Sequence, residues 1–81
     1  MANAYWTREE VIAEISKNDT SKYIVSRCEK DGRKFINVRE WYCTRNDPTW
    51  KPAKSGMAIP VENGIAEKTL EAMQDVLELS F

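Results

Sequence analysis

The chain has 81 residues, 42% hydrophobic and 31% charged, with a net charge of −1: room for one small domain, too apolar for wholesale disorder, and so thin a core that a homodimer is expected. It has no histidine and two cysteines, Cys28 and Cys43, without CxxC spacing, which excludes a histidine-based triad and a cysteine-only zinc site and reads as two reduced thiols in an intracellular protein. No apolar run of about 18 residues and no secretion-signal pattern appears, so neither membrane insertion nor export is expected.

The net charge hides a division along the chain. Residues 1–16 carry Arg8 against Glu9, Glu10 and Glu14, and residues 62–81 carry Lys68 against Glu62, Glu67, Glu71, Asp75 and Glu78. The middle, residues 17–61, carries ten cations against five carboxylates. A partner responds to that local basic field rather than to the total.

Residues 1–18 read as an N-terminal extension. Thr7-Arg8-Glu9-Glu10 fits a capping box, with Trp6 and Val11 at the positions of a hydrophobic staple. Val11, Ile12 and Ile15 make one apolar stripe, so a short amphipathic helix is expected over residues 8–16. Its expected role is packing against the domain or a partner subunit.

Residues 19–81 read as the domain proper. Tyr23 to Cys28 is rich in β-branched and aromatic residues and predicts a first strand. Asp31-Gly32 is a hairpin turn, and a second strand follows from Arg33 to Cys43. Arg45-Asn46-Asp47-Pro48 predicts a turn, Thr49-Trp50-Lys51 a short third strand, Lys51 to Gly56 a small basic loop, and Met57 to Val61 a short fourth strand. Pro52 cannot donate to a ladder and marks an edge or a loop entry. Asn63 is the expected N-cap of a C-terminal helix of about 15 residues. Its stripe is Ala66, Leu70, Met73 and Leu77, widened by Ile65, Thr69, Val76 and Leu79, and its outer face is acidic. The fold class expected is α+β: a four-stranded antiparallel sheet with the C-terminal helix on one face and a short helix in front.

The second strand carries the chemistry. Its period of two puts Arg33, Phe35, Asn37, Arg39 and Trp41 on one face and Ile36, Val38, Glu40 and Tyr42 on the other. The second set reads as core. The first alternates guanidinium groups with flat rings, which neither a core nor an ordinary solvated face requires. A single-stranded nucleic acid platform does require it, with cations for phosphates and rings for bases. Alternation assigns Tyr42 to the core, although a bulge would exchange it with Trp41. Trp50 reads as core, and Phe35 as partly covered by neighbouring strands.

Val38-Arg39-Glu40-Trp41-Tyr42, a short turn, then Trp50-Lys51-Pro52-Ala53-Lys54-Ser55-Gly56-Met57 and an amphipathic helix resemble the positive-cofactor-four type of transcriptional coactivator, a single-stranded-DNA-binding family. The resemblance covers about residues 20–79. It implies a curved sheet with one helix behind it, a homodimer joined through the C-terminal helices, and binding of single-stranded or melted DNA. Residue by residue it implies a backbone contact at Arg39, stacking by at least one of Trp41 and Tyr42, and basic contacts at Arg33, Lys51 and Lys54, with Lys22 and Arg27 matching basic residues of the first strand. Ala53 stands in place of the family's loop glycine and Ser55 in place of a basic residue. The tail of eukaryotic members is absent, which points to a prokaryotic or viral member.

The expected nucleic-acid-binding set is therefore Lys22, Arg27, Arg33, Phe35, Arg39, Trp41, Tyr42, Lys51 and Lys54, with no catalytic residue, metal or cofactor. The expected role is non-catalytic binding with little sequence specificity, in transcriptional coactivation or in DNA replication and recombination, with transcription or replication proteins as further partners. The competing reading is a protein-interaction module whose aromatic face docks a partner.

Overall fold

The computed structural model describes residues 5–79. Four antiparallel strands form one sheet in meander order: β1 (Arg8–Asn18), β2 (Ser21–Lys30), β3 (Arg33–Tyr42) and β4 (Lys51–Pro60). A 3-10 turn at Glu62–Gly64 leads into helix α1 (Ile65–Glu78).

The sheet, its antiparallel sense and the C-terminal helix match the expectation; the N-terminal helix does not. Residues 8–18 form β1, paired with β2 from Arg8↔Glu29 to Asn18↔Ser21. Val11, Ile12 and Ile15 are β-branched and favour a strand once a neighbour offers a ladder. Two register shifts, between Val11 and Ala13 and between Ser16 and Asn18, break the alternation that would have announced a strand. Thr7 does not cap a helix. Its backbone N–H donates to Glu29 O at 2.8 Å, and its hydroxyl accepts from the Asp31 N–H at 3.3 Å. Trp6 packs on Phe35 rather than stapling to Val11.

The expected basic loop of residues 51–56 and the expected fourth strand form one strand, β4, while Thr49 and Trp50 of the expected third strand precede it, so the count of four holds with a different membership. β4 lies at the sheet edge, where a proline such as Pro52 is tolerated. A register shift separates Arg39↔Gly56 from Trp41↔Pro52. The two tight turns of the three hairpins, β1–β2 and β2–β3, are built locally. Asp31 and Gly32 both have positive φ, 51° and 82°, as a two-residue primed turn requires. Asn18 Oδ1 accepts from the Thr20 N–H at 2.9 Å and closes the first turn. Asn63 is not an N-cap; it sits at φ 60° inside the 3-10 turn, and Gly64 precedes the helix without a side-chain cap.

Little of this chain is fully buried. Trp6, Cys28, Ile59 and Ala66 are the buried apolar residues among those described, joined by Ser26 and Asn37. Helix α1 meets the sheet mainly at β4 and leaves most of its apolar stripe in the open: Leu70 is 51% exposed and Leu77 72%. The molecule is flat, 43 × 40 × 19 Å.

Candidate nucleic-acid interface

Antiparallel partners share a sheet face, so the β2–β3 register fixes the site. Lys22, Ile24, Ser26, Cys28 and Lys30 lie opposite Trp41, Arg39, Asn37, Phe35 and Arg33 respectively. The alternating Arg/aromatic row of β3 is therefore one face of the sheet, extended on β2 by two lysines. Phe35 and Trp41 are six residues apart, about 20 Å along the strand at roughly 3.3 Å per residue.

Rings and cations gather at both ends of that row. At one end Trp6 packs on Phe35 with ring centroids 5.4 Å apart, and Tyr5 meets Trp6 edge-on at 4.9 Å. The Arg33 guanidinium lies 5.4 Å from the Phe35 ring, and the Lys30 ammonium lies 4.4 Å over Tyr5 while donating to Tyr5 O at 3.0 Å. At the other end Trp41 is half-buried, and the Lys22 ammonium sits 4.4 Å over the ring of Trp50. Between them lie the short side chains of Ser26 and Asn37, flanked in register by Val11 and Ala58. Ser26 Oγ donates to Glu9 Oε2 at 3.2 Å, and Asn37 Oδ1 is buried without a hydrogen-bond partner among the described residues.

Most of the expected cations are already engaged. Lys22 bonds Glu14 at 2.8 Å, Arg27 meets Glu10 at 3.2 Å, Arg33 meets Glu62 at 2.6 Å and Lys51 meets Asp47 at 3.0 Å. Apart from the largely covered Lys22 side chain, these pairs are exposed, and such pairs are individually weak and screened by salt. The Lys51 hydrogen bond to Asp47 holds that carboxyl below its ordinary range, and the same bond raises Lys51. Arg39 instead donates from Nη1 to the backbone carbonyl of Ala53 at 2.9 Å. On the opposite face, hydrogen bonding to Glu40 at 2.9 Å raises the Lys17 ammonium.

The nine expected site residues divide. Lys22, Arg33, Phe35, Arg39 and Trp41 share the aromatic face. Arg27, in register with Ile36, lies on the opposite face, as do Tyr42 and its partner Lys51. Lys54 lies in the register shift of β4 and is exposed. Trp41 and Tyr42 are not exchanged by a bulge: the shift falls on β4, so β3 keeps its alternation. Sequence reasoning missed Trp6, Lys30 and Trp50 as members of this face. The adjacent aromatics Tyr5 and Trp6 were the available signal for the first.

Neither a family model nor a curated protein matches the chain. Solved structures do. A PC4 homologue from Burkholderia pseudomallei superposes with a TM-score of 0.64 at 21% identity, covering 94% of this chain and 96% of that one. The fold is that of the PC4 homologues. The bacteriophage T5 homologue of the eukaryotic transcription coactivator PC4, a protein implicated in recombination-dependent DNA replication, superposes with a TM-score of 0.65 at 21% identity, covering 89% of this chain and 80% of its own. The likeness to the PC4 homologues spans β1 as well as the rest of the sheet, since nearly the whole chain is covered.

Proposed function

We propose that this chain is a non-catalytic single-stranded-DNA-binding protein with little sequence preference, acting in transcriptional coactivation or in DNA replication and recombination. One observation carries the reading: Arg33, Phe35, Arg39 and Trp41 lie in order on one sheet face, with Lys22 and Lys30 beside them on β2. Lys22, Lys30 and Arg33 supply phosphate contacts whose strength falls with salt. Phe35 and Trp41 supply stacking surfaces worth roughly 1–3 kcal/mol per base. The PC4-like fold and the role ascribed to the phage T5 protein agree with this reading.

The active species is a homodimer joined through α1. The support is the uncovered stripe of Leu70, Met73, Val76 and Leu77 on a chain with so few buried apolar residues. The test of binding is fluorescence anisotropy with labelled oligo-dT against the matching duplex, at low and moderate salt, for wild type and Trp41→Ala. Tight, salt-sensitive, single-strand-selective binding that Trp41→Ala weakens at least tenfold is expected. Equal affinity for single strand and duplex, or none for either, overturns the reading and assigns the aromatic face to a protein partner.

A further inference from the structure

Arg39 differs from every other expected cation of the site. Arg39 is half-buried, has no carboxylate partner among the described residues, and donates from its guanidinium to a backbone carbonyl, Ala53 O, at 2.9 Å. That carbonyl belongs to an irregular part of β4. Between Arg39↔Gly56 and Trp41↔Pro52, β3 contributes one residue, Glu40, while β4 contributes Ala53, Lys54 and Ser55. Such a bulge lacks one-to-one ladder pairing, so something other than the sheet must fix its shape.

Gly56 makes room for that contact. A Cβ there would stand 3.0 Å from Val38 O, 3.3 Å from Arg39 Cα and 3.4 Å from Arg39 Cζ. Glycine is favoured here by space rather than by backbone conformation, since a Cβ would be tight against its neighbours, and part of that space borders the Arg39 guanidinium. The bulge so held presents Lys54, exposed and without an ion-pair or hydrogen-bond partner among the described residues, next to Pro52, the register partner of Trp41.

We propose that Arg39 is a positioning residue: its bond to Ala53 O, across Gly56, sets the β4 bulge so that Lys54 meets a phosphate of the strand stacked on Trp41. The role assigned to Lys54 rests on the single-stranded-DNA reading; the positioning role does not. Arg39 acts on nucleic acid through Lys54, and the charge of Arg39 is not itself the contact. Lysine at position 39 keeps the charge but not the planar fork that reaches the carbonyl.

Two measurements decide it. The first uses DNA-free protein: amide hydrogen exchange at residues 53–56. Arg39→Ala, Arg39→Lys and Gly56→Ala are each expected to speed exchange there at least tenfold while the β2–β3 amides stay protected, which shows that the sheet still folds. Unchanged exchange in Arg39→Ala overturns the positioning role. The second is a double-mutant cycle on oligo-dT affinity with Lys54→Ala. Lys54→Ala is expected to lower affinity several-fold and to reduce the salt slope by about 0.7, the value of one single-strand phosphate contact. Adding Arg39→Ala to it is expected to change affinity less than twofold and the slope not at all. Additive losses, a second step in the slope, or wild-type binding by Arg39→Lys overturn the proposal and make Arg39 a direct phosphate contact. If wild-type protein does not bind oligo-dT, the single-strand reading fails, and hydrogen exchange alone still decides the role of Arg39.

Discussion

The indole of Trp6 rests on the phenyl ring of Phe35, centroids 5.4 Å apart and planes inclined by 50°. Trp6 precedes β1 and Phe35 lies in β3, so this contact reaches across β2 and fastens the start of the chain to the aromatic face. Trp6 is 9% exposed, one of few apolar side chains here that the fold shields. Trp6→Ala is expected to cost about 2–4 kcal/mol in urea unfolding, within the usual range for large-to-small core changes at a partly bounded site. Trp6→Phe is expected to recover most of it. An alanine variant as stable as wild type would refute the anchoring role.

On the single-strand reading, Glu14 is expected to compete with nucleic acid for Lys22. The pair is 2.8 Å apart, and Lys22 is the cation at the Trp41–Trp50 end of the face. Glu14→Gln is expected to tighten oligo-dT binding several-fold at low salt, with the gain fading as salt screens the pair. Glu71→Gln, which removes the same charge from α1, is the control and is expected to change affinity less than twofold. Equal gains from both would reduce the effect to net charge.

The uncovered stripe of α1 predicts a concentration-dependent assembly. Wild type is expected to sediment as a dimer at micromolar concentration, with a melting temperature that rises with concentration. Leu70→Asp, which places a charge where 51% exposure in the lone chain is to be covered, is expected to give a monomer of lower stability. A wild-type monomer at high concentration sinks the dimer.

The two thiols differ in access. Cys28 is buried and burial pushes its pKa up, so at neutral pH it stays protonated and shielded; Cys43 is partly exposed. Alkylation under native conditions followed by mass spectrometry is expected to label Cys43 first. The native state holds the Cys28 proton to higher pH than the unfolded chain does. Its contribution is therefore level below the ordinary thiol range, near pH 8.5, and stability falls as pH rises beyond it. Cys28→Ala removes that alkaline slope; a slope unchanged by the substitution assigns it to other groups.

The sheet was legible where local chemistry was unambiguous. β3 follows from strict alternation, the Asp31-Gly32 turn from its backbone preference, and α1 from a stripe sustained over four turns. β1 was not, because its bulges at Ile12 and Lys17 bring Val11, Ile12 and Ile15 into a spacing that also suits a helix, and because strand formation there depends on a partner, β2, that lies beyond the local window. β4 looked like a loop followed by a strand because a bulge and Pro52 interrupt it. The face of Arg33, Phe35, Arg39 and Trp41 was readable from one strand alone. The opposite placement of Arg27 and Lys51 was not, because it depends on cross-strand register, and the role of Arg39 depends on a bulge whose closing bond joins residues 14 apart.

β1 is also an outer strand 11 residues long, and an open edge of that length invites strands from other chains to add to it. Glu9, Glu10 and Glu14 along it, with two bulges that twist its ladder, work against such growth. The carboxylates proposed to hold back affinity for a polyanion are thus also expected to discourage strand addition at the β1 edge. Variants that lose β1 carboxylates in exchange for tighter binding are therefore expected to be less soluble, so that the two properties are best improved at different strands.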